Sequence, residues 1–251
     1  MDFNKAKQAF EKYLDDYDRN DKNISLKYRH TYKVVELMAE LAFRLNLEKE
    51  EIELAKIIGL LHDIGRFEQI KKFDQKDDVN TNMDHADFGC HYLFSDYHIR
   101  DFGINEESEE AKIIEKAIKN HNKLTIENMD EKSLLFAKMI RDMDKVDIFR
   151  VLSVDFEMKF NADEISQEVL KQFSSSELVD RKIVKSTSEE TLMYLSYIYD
   201  INFEESFDIL VSTDNFDLFL GMIEVSENSE KLWKKVRELC FDKINRGASN
   251  E

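Results

Sequence analysis

The sequence predicts an all-α fold, and two features carry that expectation. Proline is absent and only six glycines occur in 251 residues, which removes the usual punctuation of sandwiches, barrels and hairpins. Apolar residues recur three and four positions apart along most of the chain, the period of a helix face and not of a strand. With 42% hydrophobic residues, the chain can bury a full core as one large domain or as a main domain with a helical extension.

Phe3, Ala6, Phe10, Tyr13, Leu14 and Tyr17 mark a first amphipathic helix, which ends in the polar run 18–23. A second runs from about Ser25 to Leu45 with Leu26, His30, Val34, Leu37, Met38 and Leu41 on one side, so a histidine has entered the apolar stripe. A third runs from about Lys49 to Ile64, where Gly65 is expected to take the left-handed conformation that stops helices. That places His62 and Asp63 in its final turn. The stretch from Arg66 to Asp84 is polar and aperiodic and reads as a long loop lying beside the site.

Helical patterns resume at about His85 to Asp96, Glu106 to His121 and Glu131 to Val154, the last with Leu135, Phe136, Met139, Ile140, Val146 and Ile148 as core candidates. Further amphipathic stretches cover about 162–173, 188–200, 203–221 and 228–245, with no histidine and no metal-ligand spacing. The serine-rich segments around Ser174 and Ser186 read as turns or helix caps. The expected organisation is a main domain over 1–155 and a helical extension or lid over 156–251 packed on it.

A net charge of −17 argues against a nucleic-acid polymer as partner, because such binding needs a basic surface. A small anion can still be gathered by a local basic pocket. Cys90 and Cys240 lie far apart and outside any zinc-finger spacing, which fits a reducing compartment. The amino terminus has no apolar core of signal-peptide type and no stretch approaches a membrane span, so a cytoplasmic location is expected.

All six histidines fall between residues 30 and 121. His62 and Asp63 point about 100° apart on an ideal helix, but at a helix end they can share a partner such as a divalent metal. Asp144 lies at multiples of four from Phe136, Ile140 and Ile148, so its carboxylate projects from an apolar face, where a bare charge is costly unless paired or metal-bound. Asp142 falls instead on the stripe of Lys138 and Lys145, where a solvated salt bridge is the simpler reading. His30 shares a face with Leu26, Val34, Leu37 and Leu41, and His121 with Ile114, Ala117 and Ile118. One such histidine is usually a hydrogen-bonded core residue; two, joined by His62, Asp63 and Asp144, point to a site. His85 opens its helix near Gly89, which permits close packing, whereas His91 and His98 read as surface residues.

The order His30, His62-Asp63, Asp144, with the phrases LLHDIGRFEQ, DHADFG and IRDMDKVDIFR, resembles the HD-domain superfamily of metal-dependent phosphohydrolases over roughly residues 24–155. The resemblance implies an HD-like helical bundle with an additional C-terminal helical subdomain. It also implies core metal ligands at His30, His62, Asp63 and Asp144, and a second metal on His85 and His121 bridged by Asp63. The implied cofactor is one or two divalent ions (Mn, Mg, Fe, Ni or Zn), and the implied partner is a small phosphorylated substrate, a nucleotide among the candidates. Where several nucleotide-hydrolysing members carry an acidic residue soon after the HD pair, this chain has Arg66, then Glu68 and Gln69. Asp63, Arg66 and Glu68 are the expected catalytic residues, Arg66 equally as a phosphate clamp or as a helix-end arginine on terminal carbonyls. Lys71, Lys72 and Lys123 read as solvated before they read as anion-gathering. The resemblance leaves two rivals: a di-iron oxygenase of the same fold, and a non-catalytic nucleotide-binding module.

Overall fold

The computed structural model describes residues 1–74 and 78–248, and the chain falls into two compact units, Met1–Met143 and Asp144–Glu251. The first unit holds α1 (Phe3–Tyr13), α2 (Lys22–Arg44), α3 (Lys49–Leu61), α4 (Ile64–Phe73), α5 (Asp78–Thr81), α6 (His85–Cys90), α7 (Glu109–Asn120) and the first half of α8 (Glu131–Asp155). Helix α8 runs unbroken through the division between the units. Among the described residues, no helix is long and apolar enough to cross a membrane.

Local chemistry explains most helix starts. Asp21 accepts the amides of Asn23 and Ile24 at 2.8 and 2.9 Å, a cap worth about 1 kcal/mol at the start of α2. Asp84 does the same for Ala86 and Asp87 at α6, and Ser108 for Ala111 at α7. Glu48 and Glu51 form a capping box at α3. The core of this unit gathers Phe10, Met38, Leu41, Leu54, Phe67 and Phe136, all fully buried.

The turn after α3 departs from the sequence expectation. Helix α3 stops at Leu61, Asp63 takes φ −105° and ψ 17°, and a new helix begins at Ile64. Gly65 is not left-handed; it lies buried in the first turn of α4. Its role is steric, because a Cβ there would stand 2.1 Å from the His85 carbonyl oxygen and 2.9 Å from the Gly89 amide nitrogen. Helices α4 and α6 therefore touch backbone to backbone. The expected loop 66–84 is also corrected: residues to Phe73 continue α4 and Asp78–Thr81 form α5, while 75–77 lie outside the described residues. Ile64, Phe67 and Ile70 bury one face of α4 at spacing three, and Gln69 is buried through hydrogen bonds to Asp78, Thr81 and Met83.

Helix α8 also corrects an expectation. Asp142 is fully buried, not solvated, and it interacts within the fold. Its stripe partner Lys145 is buried too and pairs with Asp200 at 2.8 Å. Arg141, Met143, Val146 and Asp147 are buried as well, so α8 has no single wet face on which a charge pair could sit in water.

The second unit holds α9 (Gln167–Ser174), α10 (Thr187–Leu195), α11 (Glu204–Ser212), α12 (Asn215–Met222) and α13 (Glu230–Gly247). Two two-residue strands, β1 (Lys159–Phe160) and β2 (Glu224–Val225), pair in parallel; apart from them the described residues are helices and connections, an all-α architecture. The stretch 203–221, expected as one helix, is two, because Asp214 breaks it at φ 53°. Ser186 caps α10 through the Glu189 amide at 3.1 Å. Glu189 in turn accepts the amides of Ser166 and Lys185 at 2.9 and 2.6 Å, tying two connections to one helix start.

Two predictions follow from these contacts. Gly65→Ala should cost about 3 kcal/mol or more, since backbone and not a flexible side chain opposes the new methyl. Gly221→Ala, where nothing lies within 4 Å, should be neutral or stabilising by about 0.5–1 kcal/mol; urea unfolding of the two variants measures the contrast. Burial pushes the Glu189 carboxyl up, but the Ser166, Lys185 and Ser186 donors outweigh it and hold it below the ordinary 4.5. A depressed folded value means stability present above 4.5 and lost as the pH falls through the folded value. Glu189→Gln should thus cost about 1.5–3 kcal/mol at neutral pH, with the gap from the parent closing on acidification; unfolding curves at a series of pH values test this.

Candidate metal centre

Four buried histidines of the first unit meet around one carboxylate. Asp63 sits between α3 and α4, with its side chain 3% exposed. Its Oδ2 faces His30 Nε2 at 3.6 Å and His62 Nε2 at 3.5 Å. Its Oδ1 faces His85 Nε2 at 3.2 Å and His121 Nε2 at 3.8 Å. The two oxygens thus address two different pairs of imidazoles.

Helix ends set the tautomers. His62 and His121 each donate to a carbonyl in the last turn of the helix before them. His62 Nδ1 donates to the Gly59 oxygen at 2.8 Å, and His121 Nδ1 to the Ile118 oxygen at 2.6 Å. His85 Nδ1 donates to Asp78 Oδ2 at 2.8 Å. Carbonyls and carboxylates only accept, so in each ring the proton sits on Nδ1 and the Nε2 lone pair points inward. His85 and His121 consequently bring two Nε2 atoms to 2.9 Å with both Nδ1 protons already committed. Such a pair requires a cation between its lone pairs.

A divalent metal ion fits that requirement. Ligands about 2.1 Å from an ion, at angles of about 90–110°, stand about 3.0–3.4 Å apart. The Nε2–Nε2 separation of 2.9 Å and the Nε2–Oδ separations of 3.2–3.8 Å fall around that range. Two groups offer ligand atoms within 4.8 Å of one another: His30, His62 and Asp144, and Asp63, His85 and His121. Asp78, Asp84 and His85 form a third such group, but Asp84 is engaged as the α6 cap and by Lys123 at 2.7 Å.

Charge is balanced tightly here. Burial raises the Asp63 carboxyl, but the Lys27 ammonium is the largest of the influences that oppose it, and the carboxyl is held well below the usual carboxylate range. Burial pushes His121 down to about 4 against the opposing pull of Asp63, so its ring is neutral near pH 7. Asp78 is lowered despite its burial by His85, Arg66 and Gln69.

All six expected ligands come together in these two groups, with Asp144 half-buried on α8. Arg66 lies in the first turn of α4; its Nη1 donates to Asp78 Oδ1 and Gln69 Oε1, each at 2.6 Å, and its Nε stands 3.8 Å from Asp63 Oδ1. Glu68 accepts the Tyr17 hydroxyl at 3.2 Å and pairs with Lys72 at 3.4 Å. Lys71 lies over the Tyr17 ring, and Lys123 pairs with Asp84 and Asp87. His91 is exposed, and His98 stacks half-exposed on Tyr92.

Three residues escaped the sequence reading. Lys27 reaches Asp63 Oδ2, and its signal was its place one turn before His30. Asp78 orients His85 from within the supposed loop. Arg141, fully buried, donates to the carbonyls of Asn120, His121 and Lys123 at 2.7, 3.4 and 2.6 Å, fixing the chain end that carries His121. Asp78→Ala should weaken metal retention at His85 and His121 by about 10–100-fold through loss of ring orientation. Calorimetric titration with Mn²⁺ checks this, and an unchanged affinity would remove Asp78 from the account.

The HD-domain family model matches residues 28–148, a segment that contains all six of these ligand candidates. No match was found among curated proteins or among solved structures. Residues 28–148 thus match the HD domain, consistent with the HD-domain superfamily of metal-dependent phosphohydrolases.

Proposed function

We propose that this protein hydrolyses a small phosphate ester, a nucleotide among the candidates, at a centre of one or two divalent metal ions. The observation that supports this reading is the division of the Asp63 carboxylate, one oxygen toward His30 and His62 and the other toward His85 and His121. Asp63 would bridge, His30, His62 and Asp144 would complete one position, and His85 and His121 the other. Four imidazoles favour a borderline transition metal such as manganese, iron, nickel or zinc over magnesium.

A divalent ion held there supplies a Lewis acid for phosphoryl oxygens and a water of lowered pKa. The chain's own groups supply the rest. Lys27 and Arg66 give the centre positive charge in a protein of net charge −17, which favours a small anion at this place and disfavours a polyanion elsewhere on the surface. Arg66, fixed by Asp78 and Gln69, is the group offered for holding phosphate oxygens. Glu68, hydrogen-bonded by Tyr17, is the group offered for handling the proton.

Asp63→Ala should abolish both metal retention and hydrolysis of p-nitrophenyl phosphate, read by metal analysis and by release of nitrophenolate. Parental activity in that variant sinks the proposal. A stoichiometric, redox-active iron pair in protein purified without added metal, together with no phosphate release, would redirect the reading to oxygenation.

A further inference from the structure

The centre already holds a cation of its own. Lys27 Nζ lies 2.5 Å from Asp63 Oδ2, the oxygen that also faces His30 and His62. Its side chain is 16% exposed, so the ammonium enters the buried cluster along a stem that reaches back toward solvent. Lys27 and His30 both lie on α2, one turn apart, so the lysine reaches the metal-facing oxygen from the helix that carries a ligand.

Without a positive neighbour, a carboxylate this deeply buried is strongly disfavoured. With a dication on the same oxygen, an ammonium beside it is repelled. The two cations therefore satisfy the same need and exclude one another. Arg66 differs in both respects: it approaches the other oxygen, Oδ1, at 3.8 Å, and its guanidinium is anchored by Asp78 and Gln69. Asp63 is the hydrogen-bond acceptor that the structure gives Lys27 among the described residues.

We propose that Lys27 is the counter-ion of the metal-free centre and competes with the divalent ion for Asp63 Oδ2, withdrawing as the ion enters beside His30 and His62. The proposal rests on the metal-centre reading given above. Loading is then an exchange of one cation for another, and the centre keeps its carboxylate charged and shaped in both states.

The experiment uses the full chain stripped by chelation and titrated calorimetrically with Mn²⁺. Lys27→Met should bind the ion about tenfold or more tightly than the parent, and its metal-free form should melt at a lower temperature than the metal-free parent. Lys27→Arg, which keeps the charge, should stay within about threefold of the parent. Parental or weaker affinity in Lys27→Met, with the parent binding normally, overturns the proposal. A parent that binds neither Mn²⁺ nor Zn²⁺ brings down the metal-centre reading itself and this inference with it. Should the Met variant not fold, a structure of the Mn²⁺-loaded parent decides: Lys27 still bonded to Asp63 Oδ2 refutes the exchange, and a withdrawn ammonium supports it.

Discussion

The constraint on which the first unit depends is the burial of one carboxylate. Asp63 is almost wholly removed from water, yet it stays ionised with the Lys27 ammonium against it, while four imidazoles face its oxygens. Meeting that need requires side chains from α2, the end of α3, the start of α6 and the end of α7 to arrive at one place. The helices are thus arranged around a polar point as much as around an apolar core. The backbone of Asp63, at φ −105° and ψ 17°, provides the turn between α3 and α4 that lets His62 and Asp63 face the same centre.

The supports around the centre follow from helix ends and close approaches. His62 and His121 occupy equivalent places, each just past the last turn of a helix and each spending its Nδ1 proton on a carbonyl three residues back. This one local device gives a helix-end carbonyl a side-chain donor and aims a lone pair inward. Gly65 allows α4 to meet α6 backbone to backbone, which sets His85 against Asp63. Arg141 then holds the carbonyls on both sides of His121, so the ring position is tied to α8.

How far the sequence discloses this depends on whether a residue's role is written in periodicity. Histidines at apolar positions of α2 and α7 are anomalous on their own faces, and that anomaly leads to the centre directly. The helical class, α2, α7 and α8 are legible for the same reason. Gly65 misleads because glycine permits either a left-handed turn or a tight crossing, and only the position of a residue twenty places on, His85, distinguishes them. Helix α4 hides because half-buried Arg66 and buried Gln69, polar by composition, are held by Asp78, a partner twelve and nine residues away. Asp142 is misplaced because reading one wet face presumes a surface helix, whereas α8 is buried on most sides. Lys27 has no pattern of its own, since a lysine beside an apolar stripe looks solvated until its carboxylate partner is known.

A cluster of this kind is a local weakness that a bound cation offsets. Polar groups inside a core stabilise only when fully paired, and the facing Nε2 atoms of His85 and His121 are paired only across a cation. An ion at a free concentration one hundred times its dissociation constant adds about 2.7 kcal/mol, a substantial share of the roughly 5–15 kcal/mol of a typical domain. The same side chains that would do chemistry therefore also decide how firmly α6 and α7 are held. Stability and the proposed function are linked here through one oxygen pair, and any change that frees Asp63 from its cations would act on both.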